Sequence, residues 1–259
     1  MDSHGIDYEL IKNDLKPLSD FMFFTVFGDM KMAQPLRSLI NAILENKGME
    51  PIGELTEIQG QKTMLTAKDQ RGCRLDIMAS TEHVSEDDEL IKKELVNIEA
   101  QLKNEGNMVE RSWFYGCYAE ASSVVAGTEL DDIPTMIGIN LLGYKTKTGS
   151  EDYHDCYLLR SETGHVGTQK LQIHCLELPK LRKLPLDINN KLMAWLYVLD
   201  EPRYQKKAVL KEIIRRYPEM ENYRHEYDIK SSDPIVLSAL YKSNADKIWN
   251  NKRLADARR

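Results

Sequence analysis

No apolar run in this chain approaches the roughly 18 residues that a membrane-crossing helix requires. The opening MDSHGIDYEL lacks the basic and apolar regions of a secretory signal. A cytoplasmic protein with no membrane partner is expected. Cysteine is scarce and dispersed over Cys73, Cys117, Cys156 and Cys175, which argues against a zinc knuckle and predicts reduced, mostly buried thiols. The six histidines show no local pair at metal-ligand spacing and read as structural or exposed. There is no Gly-rich loop to cradle phosphates and no nucleophile elbow, so nucleotide-dependent transferases and serine hydrolases are disfavoured. Internal repeats, low-complexity tracts and heptad arrays are also missing. Nor is there a bulk excess of positive charge: the net charge is -6, and nucleic-acid binding would have to rely on a local basic patch.

What is present is an ordinary globular composition, 42% hydrophobic and 29% charged over 259 residues, enough for one large domain or one domain with a smaller helical one. Residues 1–17 read as a polar arm that joins the fold at about Leu18. Ser19 or Asp20 is placed to cap a short helix containing Phe21, Phe24 and Phe27, ended near Gly28 and docking into the core. A second helix is capped by Asp29 or begins after Met32 with Pro35 in its first turn, and its apolar stripe is Leu36, Leu39, Ile40, Ile43 and Leu44. Lys62 to Ala67 and Cys73 to Ser80 read as strands joined by a turn at Asp69 to Gly72.

Thr81 to Glu89 is an acidic, solvent-exposed link, and Glu94 to Lys103 the next strand. Asn107 opens a long helix to about Ser123, with Val109, Trp113, Cys117 and Val124 on one stripe and Arg111, Tyr115 and Tyr118 on a neighbouring one. The run TMIGINLLG after Pro134 has the continuous apolar character of a buried central strand. Tyr153 to Arg160 and Gln169 to Glu177 follow as strands. Beyond the linker Lys180 to Leu184, helices are expected over about Leu186 to Leu199, Gln205 to Tyr217 and from Pro234 toward Leu254. They form either a separate lobe or a layer packed back on the sheet. This order predicts a mixed α/β sheet with helical cover.

The chemistry concentrates between Arg74 and Gln101. In RLDIMAS the period of two sets Asp76 and Met78 on the face opposite Leu75 and Ile77; in ELVNIEAQLK it sets Glu99 and Gln101 opposite Val96, Ile98 and Ala100. Two carboxylates and an amide oxygen on adjacent strands suit a hard divalent cation such as Mg²⁺. Asp20 and Glu9 are upstream acids able to complete the ligand set, Asp20 preferred because its Phe-rich helix should dock near the sheet. The plainer alternative is that Asp76 and Glu99 are strand-end polar residues paired to Arg74 or Lys103.

The segments DFMFFTVFG, RLDIMA, VNIEAQ, RSWFYGCYAE and IHCLELPK resemble the PD-(D/E)XK nuclease family transposases, the recombination-promoting nuclease group. The resemblance runs from about Leu15 to Lys180 and more weakly into the tail. It implies a restriction-endonuclease-like mixed central sheet flanked by helices, with domain 1–180 followed by a helical C-terminal extension at 181–259. It also implies Mg²⁺-dependent cleavage of DNA, with Mn²⁺ as a substitute ion. On that resemblance Asp76 matches the first motif aspartate, and Glu99 with Gln101 matches the E-x-Q form that replaces E-x-K in this group. Asp20 matches the acid of the N-terminal helix. Arg111 and Tyr115 match the Arg and Tyr of the helix after the catalytic strand.

The expected site is therefore Asp76, Glu99 and Asp20 on the metal, Gln101 and Arg111 in catalysis, and Arg111, Tyr115 and Lys103 toward DNA. A homodimer is expected only because cutting both strands calls for two active sites. The competing reading is a nuclease fold retained as a DNA-binding or protein-interaction module, since Gln101 carries no positive charge.

Overall fold

The computed structural model describes residues 11–64, 73–84, 90–104, 106–147, 150–242 and 244, without the side chains of 61–64, 73–76, 83–84 and 90–92. The turn expected at Asp69 to Gly72, the link 85–89 and Glu9 lie outside these residues. The first helix, α1 (Asp20–Phe27), starts where Ser19 accepts from the Met22 N–H at 3.1 Å and ends at Gly28. A 3-10 turn (Met30–Met32) capped by Asp29 leads into α2 (Ala33–Glu45), so both expected starts are used in succession. All five residues of the apolar stripe on α2 are buried.

The strands follow as β1 (Glu54–Met64), β2 (Cys73–Val84) and β3 (Leu90–Gln101), then α3 (Met108–Ser123), β4 (Thr135–Leu142), β5 (His154–Arg160) and β6 (Val166–Glu177). They form one sheet in the order β1-β2-β3-β4-β6-β5. β3, β4 and β6 run parallel, and the outer pairs are antiparallel. Two parallel neighbours cannot be joined by a tight hairpin, and α3 supplies the crossover from β3 to β4. β4 is buried at every position, as its mostly apolar run predicts. A mixed sheet with helices on both faces is the expected α/β, restriction-endonuclease-like architecture.

After a single helical turn at Leu178–Leu181 come α4 (Lys191–Leu199), α5 (Lys207–Arg216) and α6 (Pro218–Ser232). α6 was not foreseen. Its apolar contribution is Met220, Tyr223 and Tyr227, buried at helical spacing within an otherwise polar segment. One core cluster joins α1, α2, α4 and α6 to the same face of the sheet, including Phe27, Leu39, Ile77, Val96, Ile98, Trp195 and Tyr223. The opposite face is covered by α3, through Met78, Leu95, Ala119 and Met136.

Three other expectations need correction. The chain joins the fold before Leu18, because Ile11 is fully buried against Leu237 and Leu240. Strand β1 begins at Glu54 rather than Lys62; its register shift between Leu55 and Glu57 breaks the alternation that reveals a strand. The link after Ser80 is not all exposed: β2 continues to Val84, and Thr81 is buried with its hydroxyl donating to Glu94.

Candidate active site

The two central motif strands divide their residues as the period of two requires. Ile77, Ala79, Val96, Ile98 and Ala100 enter the main core, while Met78 and Leu95 lie under α3. In the antiparallel register Met78 faces Asn97, and Ile77 faces Ile98 as the last pair. Asp76 and Glu99 are the next residue on each strand, just past that pair. Asp76 therefore occupies a backbone position beside Glu99; its side chain lies outside the described residues.

Asn97, Glu99 and Gln101 form a buried polar row on the α3 side of β3. Glu99 is 3% exposed, and a carboxylate so removed from water requires countercharge and donors. Arg111 on α3 supplies both: its Nη2 donates to Glu99 Oε2 at 3.2 Å, and Asn97 Nδ2 donates to Oε1 at 3.3 Å. With its amide oxygen turned to the guanidinium, Gln101 accepts from Nη1 at 3.0 Å and also from Nη2. The Gln101 NH₂ then faces the Tyr144 hydroxyl, 3.5 Å away. Arg111 thus spans the two motif side chains of β3, and its guanidinium carbon lies 5.8 Å from the Tyr115 ring centre.

The helix approaches the sheet closely because, apart from Met108 at its start, its buried positions are small. They are Met108, Ser112, Gly116 and Ala119, not the expected stripe of Val109, Trp113 and Cys117; Trp113 is 56% exposed. A Cβ on Gly116 would stand 2.7 Å from Leu171 Cδ1. Ser112 fixes the rotation by donating to Asn140 at 2.7 Å, and Asn140 is the β4 partner of Glu99. Asn97, Ser112, Asn140 and Tyr144 were not singled out from the sequence. Asn140 did carry a signal, as the lone amide in an all-apolar strand, and Asn97 precedes Glu99 by one strand period.

A cleft of about 770 Å³ opens at the carboxyl ends of β3 and β4, lined by Asn104, Asn107, Met108, Tyr144, Thr146 and Tyr157. Ligands of open α/β sheets enter at this end, and Tyr144 connects the cleft to Gln101. Lys103, just beyond β3, is exposed, and Tyr115 is half-buried. Asp20 is exposed in the first turn of α1, and α1 packs on the face of the sheet opposite α3.

The donor chemistry suits a hard divalent cation, since Glu99 offers carboxylate oxygen, Gln101 amide oxygen, and Asp76 is the adjacent carboxylate position. Among the described residues, no three His, Cys, Asp or Glu side chains gather at metal-binding distance. Histidine lies elsewhere. On the core face His154 and His174 are 3.0 Å apart between Nε2 and Nδ1, and His154 Nδ1 meets Asn46 Oδ1 at 2.8 Å. Burial holds both imidazoles neutral, lowering His154 to about 2, with a further contribution from His174, and His174 to about 4. Cys117, Cys156 and Cys175 are free thiols. Burial pushes Cys156 up to about 11 and Cys175 up to about 12.

Among the described residues, no helix is long and apolar enough to cross a membrane. No curated protein and no solved structure matches the chain. A family model does match, over residues 17–256, and it spans the sheet, the α3 crossover and the helices after Leu181. With an E-x-Q pair on the strand before that crossover and an aspartate on the neighbouring strand, the chain belongs to the PD-(D/E)XK nuclease family transposases.

Proposed function

We propose that the chain is a metal-dependent endonuclease that hydrolyses DNA phosphodiester bonds, in association with recombination or a mobile element. The observation that carries this reading is the Arg111 guanidinium spanning Glu99 and Gln101, beside the backbone position of Asp76. Asp76 and Glu99 would hold Mg²⁺, or Mn²⁺ in its place. The ion supplies Lewis-acid polarisation of the phosphate and an activated water. Gln101 positions water or phosphate; as an amide it is neither a cation nor an effective base at neutral pH. Arg111 stabilises the negative charge of the transition state. Arg111, Tyr115 and Lys103 face DNA, and a homodimer would bring two sites to the two strands.

The test is cleavage of plasmid and single-stranded DNA in Mg²⁺ by the wild-type chain and by Asp76→Ala. Loss of cleavage in the variant supports the reading; equal cleavage by both sinks it. A second reading, a nuclease fold kept as a DNA-binding or protein-interaction module, is favoured by Gln101 standing where the superfamily motif has lysine. Calorimetric Mn²⁺ titration separates the two. Ion binding and cleavage both abolished by Glu99→Ala indicate the enzyme, whereas DNA binding that persists without any ion indicates the module.

A further inference from the structure

We propose that Arg111 is an exchangeable occupant of the ion site: it holds Glu99 and Gln101 while no ion is bound, and a divalent ion displaces it toward the substrate phosphate. This inference rests on the metal-dependent reading above and adds an order of events to it. The geometry is that of a cation already seated on the oxygens an ion would take. One guanidinium nitrogen lies 3.2 Å from Glu99 Oε2, and the Gln101 amide oxygen accepts from both terminal nitrogens.

A hard ion binds carboxylate oxygen at about 2.1 Å. Placed on Oε2, it would stand within a few ångströms of the guanidinium. Two cations that close in a water-poor site repel strongly, far more than they would in bulk water. Glu99 Oε1 offers less room for a way around, since Asn97 already donates to it.

Arg111 is able to leave. Its side chain is 20% exposed while that of Glu99 is 3% exposed, so of the two partners it is Arg111 that reaches solvent. The Tyr115 ring, its centre 5.8 Å from the guanidinium carbon, offers an aromatic face on which the cation can rest. Arginine also suits the destination, because its planar fork matches phosphate oxygens in a bidentate way. A lysine fixed at position 101 would keep its charge at the ion in every state. A neutral Gln101 with a mobile Arg111 lets the positive charge move from carboxylate to phosphate when the ion arrives.

The test measures Mn²⁺ affinity of the full chain without DNA, by calorimetry, for the wild type, Arg111→Met and Arg111→Lys. DNA affinity is measured in parallel in Ca²⁺ as a non-cleaving divalent ion. Displacement predicts opposite signs. Arg111→Met should bind Mn²⁺ about tenfold more tightly, the scale of one charge-assisted hydrogen bond no longer competing, while binding DNA more weakly. A merely structural role for Arg111 would weaken both. Arg111→Lys keeps the charge, but its ammonium cannot span both partners; it should bind Mn²⁺ more tightly than wild type, and it carries the test if Arg111→Met does not fold. Mn²⁺ affinity equal to or weaker than wild type in a folded variant overturns the displacement and leaves the nuclease reading intact. Absence of Mn²⁺ binding in the wild type and every variant overturns the nuclease reading itself.

Discussion

Ser112 donates a 2.7 Å hydrogen bond to Asn140, and this bond ties α3 to the middle of the sheet one residue from Arg111. Both partners are buried, at 3% and 1% exposure, and Asn140 completes its amide by donating to the His174 carbonyl at 3.1 Å. Ser112→Ala leaves the Asn140 oxygen without this donor. A buried acceptor so deprived costs about 1–3 kcal/mol, and urea unfolding should show a loss of that size. Because the bond also sets the rotation of α3, the same variant should lose DNA cleavage by more than its stability loss explains. An unchanged midpoint would show that the contact does not hold the helix.

Gly60 on β1 is where the Phe24 ring rests: a Cβ there would fall 1.7 Å from Phe24 Cε2. No rotamer change at position 60 relieves that overlap, so the ring and α1 must shift. Gly60→Ala should destabilise the fold by about 1–3 kcal/mol, the usual cost of overpacking. Phe24→Leu in the same chain removes the clashing ring edge and should recover part of the loss. If Gly60→Ala alone unfolds at the wild-type urea concentration, α1 does not dock as described.

The buried histidines set a dependence on pH. His154 and His174 are held below their ordinary value of 6.5, His174 at about 4. The unfolded chain takes up protons that the native state refuses, so stability is full above about pH 6.5 and falls as pH is lowered toward 4. The slope should be on the order of 1 kcal/mol per pH unit for each histidine within that window. Unfolding midpoints should stay level between pH 7.5 and 6.5 and fall from there to 4.5, more shallowly for His174→Leu. A wild-type midpoint that is flat from 6.5 to 5 would refute the neutral pair.

Much of this was legible from local pattern. The Ser19 cap, the alternation around Asp76 and Glu99 and the mostly apolar run of β4 are signals that neighbouring residues carry by themselves. What escaped depends on partners far along the chain. Leu55 and Ile58 are three apart yet point to one core, because a bulge lies between them. The buried side of α3 is made of Ser112, Gly116 and Ala119, which no hydrophobicity pattern selects; the sheet selects them by closeness. α6 is polar overall and buries tyrosines. The reach of Arg111 to Glu99 was not foreseen: the resemblance pointed Arg111 toward phosphate, and the two residues lie twelve positions apart on different elements.

The helices beyond Leu181 raise a last question, whether residues 1–180 fold without them. Tyr223 of α6 stacks on Phe27 of α1 with ring centres 4.9 Å apart. Trp195 of α4 is fully buried and donates to Ser38 at 3.1 Å. Tyr227 donates to the Leu15 carbonyl at 2.9 Å. Removing these helices uncovers Phe27, Leu36, Leu39 and Ile40, all fully buried in the whole chain. At about 1.5–3 kcal/mol for each large apolar side chain returned to water, four such residues consume most of the 5–15 kcal/mol that a domain has in hand. A fragment 1–180 should therefore show no cooperative urea transition, while the full chain unfolds in one. A fragment that unfolds cooperatively near the full-chain midpoint would make the helices an appended unit, and would require another cover for Phe27 and the α2 stripe.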